Sequence, residues 1–202
     1  MNLPKQHVRP LKTALRKSLA AILCLWFAAW QAYGAESSAA ANEYQVKAVC
    51  LYNFTRFTDW PASSFAASNA PIVIGIVGED PFGKMIDAVV NGEVVRGHPL
   101  TVKRLGANES LLGCHIIFFC HSEKKHFQEL LKRIRGGSVL SVGEVTGFAE
   151  QGGMVNLIVA DKTVKVEINQ VAAEQAGLQI SSKLLKLARI VLNNPDNSME
   201  KP

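Results

Sequence analysis

The sequence predicts an α/β fold: a single domain with a mixed, mostly parallel sheet, a C-terminal antiparallel hairpin and helices on both faces. Three observations lead there. Short runs such as Pro71–Val77 (PIVIGIV) and Cys114–Cys120 (CHIIFFC) are almost wholly apolar, as strands covered on both sides are. Stretches with apolar residues at helical spacing lie between them. Near the C-terminus, Gly153–Ala160 (GMVNLIVA) and Thr163–Ile168 (TVKVEI) are separated only by Asp161-Lys162, too little for a helical crossover but enough for a hairpin.

The elements follow in order. Val46, Val49, Cys50, Phe54 and Phe57 recur at helical spacing, which predicts an amphipathic helix over 43–58. Asp59-Trp60-Pro61 ends it, because the residue before proline avoids helical geometry. Pro71–Val77 is the first buried strand. Asp80 suits an N-cap and Pro81 the first helical position, so a helix runs from there to about Val90, before the Asn91-Gly92 turn. Leu100–Leu105 is a strand with Val102 inward, and Cys114–Cys120 another. Glu123–Arg135 is a helix stopped by Gly136-Gly137, and its basic end, Lys132-Arg133-Ile134-Arg135, complements the helix dipole. Val139–Val142 is a fourth strand. In the hairpin, Val164, Val166 and Ile168 alternate with Lys165 and Glu167, as in a half-exposed edge strand. Asn169 caps a short helix ending at Gly177. Ser181 or Ser182 caps a last helix, with Leu184, Leu185, Ala188, Val191 and Leu192 on its apolar side.

The chain begins with Lys5, Arg9, Lys12, Arg16 and Lys17, then the apolar run Leu19–Trp30, then small residues at Ala32 and Gly34. That order is a secretory signal peptide, 1–34, cut after Gly34. The 12 apolar residues fall short of the roughly 20 an α-helix needs to span a bilayer. Residues 35–42 read as a flexible linker, 43–192 as the folded domain and 193–202 as a disordered tail. The whole chain carries 22 Lys+Arg and 17 Asp+Glu, but five of the bases lie in the leader, so the exported chain is neutral overall. No field remains to gather phosphates, which argues against nucleic acid as a partner.

Candidate chemistry is sparse. Gly78–Gly83 lies where a strand meets a helix, the crevice where α/β sheets bind ligands, and it presents Glu79 and Asp80. Two carboxylates would repel a phosphate, so a purely structural turn is the competing reading. Beyond the leader there are three cysteines, Cys50, Cys114 and Cys120, which allow at most one bridge. Cys114 and Cys120 sit six residues apart on one strand, about 20 Å at ~3.3 Å per residue, and so cannot pair. His115 and His121 follow cysteines directly, but strand neighbours face opposite sides, which rules against a shared metal or a Cys–His nucleophile. His98 and His126 read as solvated. No acid–base pair emerges, hence no cofactor, no metal and no enzyme.

On the first helix, Asn53, Arg56 and the terminal Trp60 flank the apolar stripe; Trp60 beside Arg56 suits an interface anchor, and equally a plug in the core. Glu167 and Asn169 on the edge strand suit strand addition by a partner, or simply blunt that edge.

An ordered series of motifs resembles the YfiR-like (YfiR/HmsC-like) periplasmic proteins: Tyr44–Ala48, Leu51–Phe54, Trp60-Pro61, Gly78–Gly83, Cys114–Phe118, Val139–Gly143, Gly147–Ala149, Gly152–Met154, Ile168-Asn169, Ala176–Leu178, Ser181–Leu185 and Leu187-Ala188. The resemblance implies a regulator that represses an inner-membrane diguanylate cyclase by binding its sensory domain, thereby controlling cyclic di-GMP and biofilm. It implies an outer-membrane peptidoglycan-binding lipoprotein as a second partner, and a homodimer. A small-ligand module using the crevice at the carboxyl ends of the strands is the alternative. Relatives often carry cysteine where this chain has Gly75, the partner of the cysteine matched by Cys114, and some carry a pair where this chain has Ala149 and Asn156. Redox control through those bridges is not expected here.

Overall fold

The computed structural model describes residues 41–192, so the leader 1–34 and the tail 193–202 lie outside the described residues. Contacts divide the chain after Asn42, and the unit beginning at Glu43 is the one considered below. Helix α1 spans residues 41–57. The remaining helices are α2 (Lys84–Val90), α3 (Phe127–Ile134), α4 (Gln170–Gln175) and α5 (Ser182–Leu185).

Strands β2 (Ile72–Val77), β4 (His98–Leu105), β5 (Ile116–Phe119), β6 (Leu140–Gly143) and β7 (Val155–Ala160) run parallel in the order β4-β2-β5-β6-β7. Strand β8 (Thr163–Ile168) returns antiparallel to β7, and β10 (Arg189–Ile190) lies parallel to β8 at that edge. The two-residue β3 (Val94–Val95) closes the opposite edge. A separate ribbon pairs β1 (Thr58–Asp59) with β9 (Gln179–Ile180). The fold is the mixed α/β architecture that the patterning predicts.

Period-two alternation builds two cores. Ile72, Ile74, Ile76, Ile116 and Phe118 point to one face, where Leu51 and Phe54 of α1, Ile86 of α2, Ala173 of α4 and Leu184 of α5 meet them. Val73, Val77, Ile117 and Phe119 point to the other, against Leu130 and Leu131 of α3 and Phe148. The connection from β2 through α2 to β4 steps one way along the sheet; that from β5 through α3 to β6 steps the other. Right-handed crossovers then require α2 and α3 to lie on opposite faces, as they do. Burial of each large apolar side chain contributes on the order of 1.5–3 kcal/mol.

Several expectations are corrected. The core-facing stripe of α1 is Lys47, Ala48, Leu51, Phe54 and Thr55, while Val46 and Val49 are each 43% exposed. Helix α2 starts at Lys84 instead of Pro81, because the Asp80 carboxylate accepts the Phe82 N–H and holds the segment as a turn. The expected long helix after β5 divides into a 3₁₀ turn, His121–Lys125, and α3. The last helix is one turn, capped by Ser181, after which the chain becomes β10 and leaves Leu187 and Leu192 exposed. Asn169 caps α4 by accepting the Ala172 N–H.

Candidate functional site

The chain order reverses between β2 and β5, so the carboxyl ends of these strands mark the switch point where α/β sheets bind ligands. Here that place is occupied from within. Gly78 has φ 101°, and a β-carbon added to it would fall 2.3 Å from Ser122 Oγ and 2.9 Å from Glu123 Oε1. Ser122 Oγ in turn accepts the Glu79 N–H at 3.0 Å. The Glu79 residue itself is exposed. Asp80 is engaged within the protein: its Oδ2 accepts from Arg104 Nε at 2.7 Å. Arg104 also reaches Asp87 at 2.5 Å and the Gly83 carbonyl at 2.6 Å, clamping β4 to the start of α2. Hydrogen bonding from Arg104 holds the Asp87 carboxyl below its ordinary range.

Beside this clamp lies a buried ionic cluster that periodicity did not reveal. Lys47, 3% exposed, approaches Glu144 at 2.7 Å and Glu43 at 2.5 Å. The Glu144 side chain is 2% exposed, and its Oε1 accepts the His121 N–H. The Lys47 ammonium also stands 4.7 Å from the Tyr44 ring centre. Burial first, then the Glu144 carboxylate, raises the Tyr44 phenol. The same two causes raise the Cys120 thiol, so Cys120 is protonated at neutral pH and is a poor nucleophile.

The amino ends of the strands are aromatic instead. Trp60 Nε1 donates to the His115 carbonyl at 3.1 Å, so the indole closes over the sheet end. Phe65 stacks between His98 and His115, with ring centres 4.0 and 4.6 Å away. His98, expected to be solvated, is half-buried and its Nδ1 donates to the Ala70 carbonyl at 2.6 Å. Arg56 is exposed, 5.9 Å over the Tyr52 ring, and Asn53 is half-buried on the same helix.

Glu167 and Asn169 are corrected as edge residues. Strand β10 pairs with that end of β8, and both residues are buried. Glu167 accepts from Asn156 Nδ2 at 3.0 Å and from Arg189 Nε at 3.0 Å. Asn169 Nδ2 donates to the Ala149 carbonyl at 2.8 Å. The candidate residues therefore do not converge: Asp80 lies at the carboxyl ends, Trp60 at the amino ends, and Glu167 and Asn169 under the hairpin. Two open concavities flank α3, one of about 530 Å³ lined by Gln128, Glu150 and Gln175, the other of about 510 Å³ lined by Cys114, Arg135 and Ser138.

Cys50, Cys114 and Cys120 are free thiols. Cys114 belongs to the α3-side core, and Cys50 and Cys120 to the opposite one, so the sheet lies between them. A β-carbon at Gly75 would lie 3.6 Å from Cys114 Cβ, within the usual disulfide range of roughly 3.5–4.5 Å. The Cys114 thiol thus faces Gly75. Among the described residues, no group of three or more His, Cys, Asp or Glu side chains is placed to hold a metal, and no helix is long and apolar enough to cross a membrane.

The fold is that of a mixed α/β domain in which Ser122 and Glu123 pack against Gly78 at the carboxyl ends of the strands and the neighbouring charges pair within the protein. The chain belongs to the YfiR/HmsC-like family, a family of periplasmic regulators, whose model matches residues 44–189. No curated protein matches it. Among solved structures it is similar to the ABC domain in complex with L-Trp from Streptococcus pneumonia, with a TM-score of 0.46 and 14% identity over 59% of this chain and 55% of that one.

Proposed function

We propose that this protein is exported to the periplasm, its leader cut near Gly34, and that it acts there without chemistry of its own, repressing an inner-membrane diguanylate cyclase by binding its sensory domain. The observation that carries this reading is the family match over residues 44–189. The internal pairing of Asp80, Lys47 and Glu144 supports it, since these groups hold the domain together rather than facing a substrate. The outer stripe of α1, with Val46, Val49 and Arg56 exposed and Asn53 half-buried among them at helical spacing, supplies an apolar and cationic surface for the sensory domain. An outer-membrane peptidoglycan-binding lipoprotein that sequesters the protein, and a homodimer, complete the proposal.

The test is genetic and biochemical. Deleting the gene should raise cellular cyclic di-GMP, and the purified chain should capture the periplasmic domain of a cyclase. Val46→Asp with Arg56→Glu should abolish capture while leaving the unfolding free energy within about 0.5 kcal/mol of wild type, as surface changes do. Unchanged cyclic di-GMP in the deletion strain would refute the reading. The competing small-ligand reading has less support, because Ser122 and Glu123 pack against Gly78 where its crevice would open.

A further inference from the structure

His115 is 5% exposed at the amino end of β5, and its two ring nitrogens have unequal surroundings. Nδ1 accepts the Val73 N–H at 3.2 Å. A nitrogen that accepts carries no proton, so the neutral ring is the Nε2–H tautomer. That Nε2 is shielded from water and makes no well-formed hydrogen bond, the Ser64 backbone giving it only partial compensation. The ring is stacked on Phe65, which is itself stacked on His98, and Trp60 stands edge-on at 6.0 Å. Around the imidazole stand Trp60 after β1, Ser64 and Phe65 of the following segment, Val73 of β2 and His98 of β4, and His115 shares the concavity of about 510 Å³ with Arg133 and Arg135 of the α3 end, which bring positive charge only. His98 is the titratable one, and its charge opposes a second charge on His115. No carboxylate contributes to compensate.

We propose that His115 is an acid-operated latch: protonation of its imidazole opens the His98–Phe65–His115 stack and releases the 60–65 segment from the amino ends of β2 and β5. The bookkeeping is one proton. It can only enter at Nδ1, where it turns the acceptor of the Val73 N–H into a second donor, so that two N–H groups face each other and that hydrogen bond is lost. The resulting charge sits against Phe65 and His98 with no counter-ion, a placement that favours expulsion of the ring toward water. Burial accordingly depresses the His115 pKa below the ordinary histidine value. The closed form excludes the proton and the open form accepts it, so acid drives opening. The consequence is local: the Trp60 indole loses the His115 carbonyl and the surface between α1 and β2 loosens, while α3 and the hairpin stay in place. This latch is independent of the cyclase reading, because it concerns the domain alone.

The full chain, labelled with ¹⁵N, is titrated from pH 8 to pH 4.5. At pH 8, long-range proton–nitrogen spectra should show His115 protonated at Nε2 only. Below about pH 6.5, the opening constant from Val73 amide exchange, corrected for intrinsic chemistry, should rise about tenfold per pH unit until the closed form itself titrates. The Trp60 indole resonance should move with the same midpoint. His115→Gln, which can still accept from Val73 but cannot titrate, should flatten both profiles. Should that variant fail to fold, His98→Gln provides a second reading, by moving the His115 midpoint to higher pH. An Nδ1–H tautomer at pH 8 would overturn the latch. So would titration of His115 without change at Val73 and Trp60, or a wild-type acid transition retained in His115→Gln.

Discussion

The two ends of the parallel sheet are closed by opposite means. At the carboxyl ends, charges do it: Lys47 joins Glu144 and Glu43, and Arg104 joins Asp80 and Asp87. At the amino ends, rings do it: Trp60, Phe65, His98 and His115 close the sheet around a neutral imidazole. The difference teaches that the same strands can be sealed by pairs that need charge and by stacks that cannot tolerate it. The two ends are therefore expected to weaken at different pH.

The largest expected effect is at the buried cluster. Lys47→Ala leaves the Glu144 carboxylate buried without its cation, and should cost about 3–5 kcal/mol in urea unfolding. Lys47→Met combined with Glu144→Gln should recover more than half of that loss, since the glutamine still accepts the His121 N–H. If the single and double variants are equally unstable, the pair is not what seals this end.

Next comes the missing bridge. Under oxidising conditions Gly75→Cys should cross-link to Cys114 and stabilise the domain by about 2–4 kcal/mol, measured against the same protein after reduction. Gly75→Ala should go the other way, because its methyl would press on Cys114 Sγ at 2.9 Å. A free-thiol count that does not fall in Gly75→Cys would show that the geometry is wrong.

The pH limits themselves sharpen the comparison. Tyr44 and Cys120 have raised pKa values when folded, so the unfolded chain releases their protons first. Stability should therefore decline as pH rises through the ordinary range of these groups, roughly 8.5–10. His115 has a lowered value, so the unfolded chain takes up its proton first, and stability should decline as pH falls below about 6.5. In unfolding midpoints taken across pH, Tyr44→Phe should make the alkaline limb shallower, with the Cys120 share remaining, and His115→Gln should lessen the decline below about pH 6.5, each leaving the other limb unchanged. The smallest effect belongs to the Arg104 clamp. Arg104 and Asp87 are 42% and 48% exposed, so Arg104→Gln should cost about 1 kcal/mol or less, reduced further by salt.

Much of the fold was legible because its strands obey a simple rule. Ile72–Val77 and Ile116–Phe119 are buried on both faces, and an unbroken apolar run conveys that without knowledge of neighbours. The first helix was less legible because its buried stripe contains Lys47 and Thr55 while Val46 and Val49 face outward. Hydrophobic spacing cannot foresee a lysine whose partner, Glu144, lies 97 residues further on. A charged residue one turn before Leu51, on the face that also holds Phe54, was the available signal. Glu167 misled for a related reason: alternation marked β8 as an edge, and only pairing with the short β10 buries its carboxylate. Leu192 suggested a longer final helix, but the chain leaves α5 after Leu185 and passes into β10, and Leu192 is exposed.

That short final strand has a practical meaning. Arg189 neutralises Glu167, and Val191 N–H reaches the Ile168 carbonyl at 2.8 Å, so the three residues from Arg189 to Val191 cover that edge of the hairpin. A protein shortened to end before Arg189 would present an unguarded ribbon with a stranded anion at its root. Its self-association, followed by light scattering over time, would measure how much protection so brief a seam gives the hairpin.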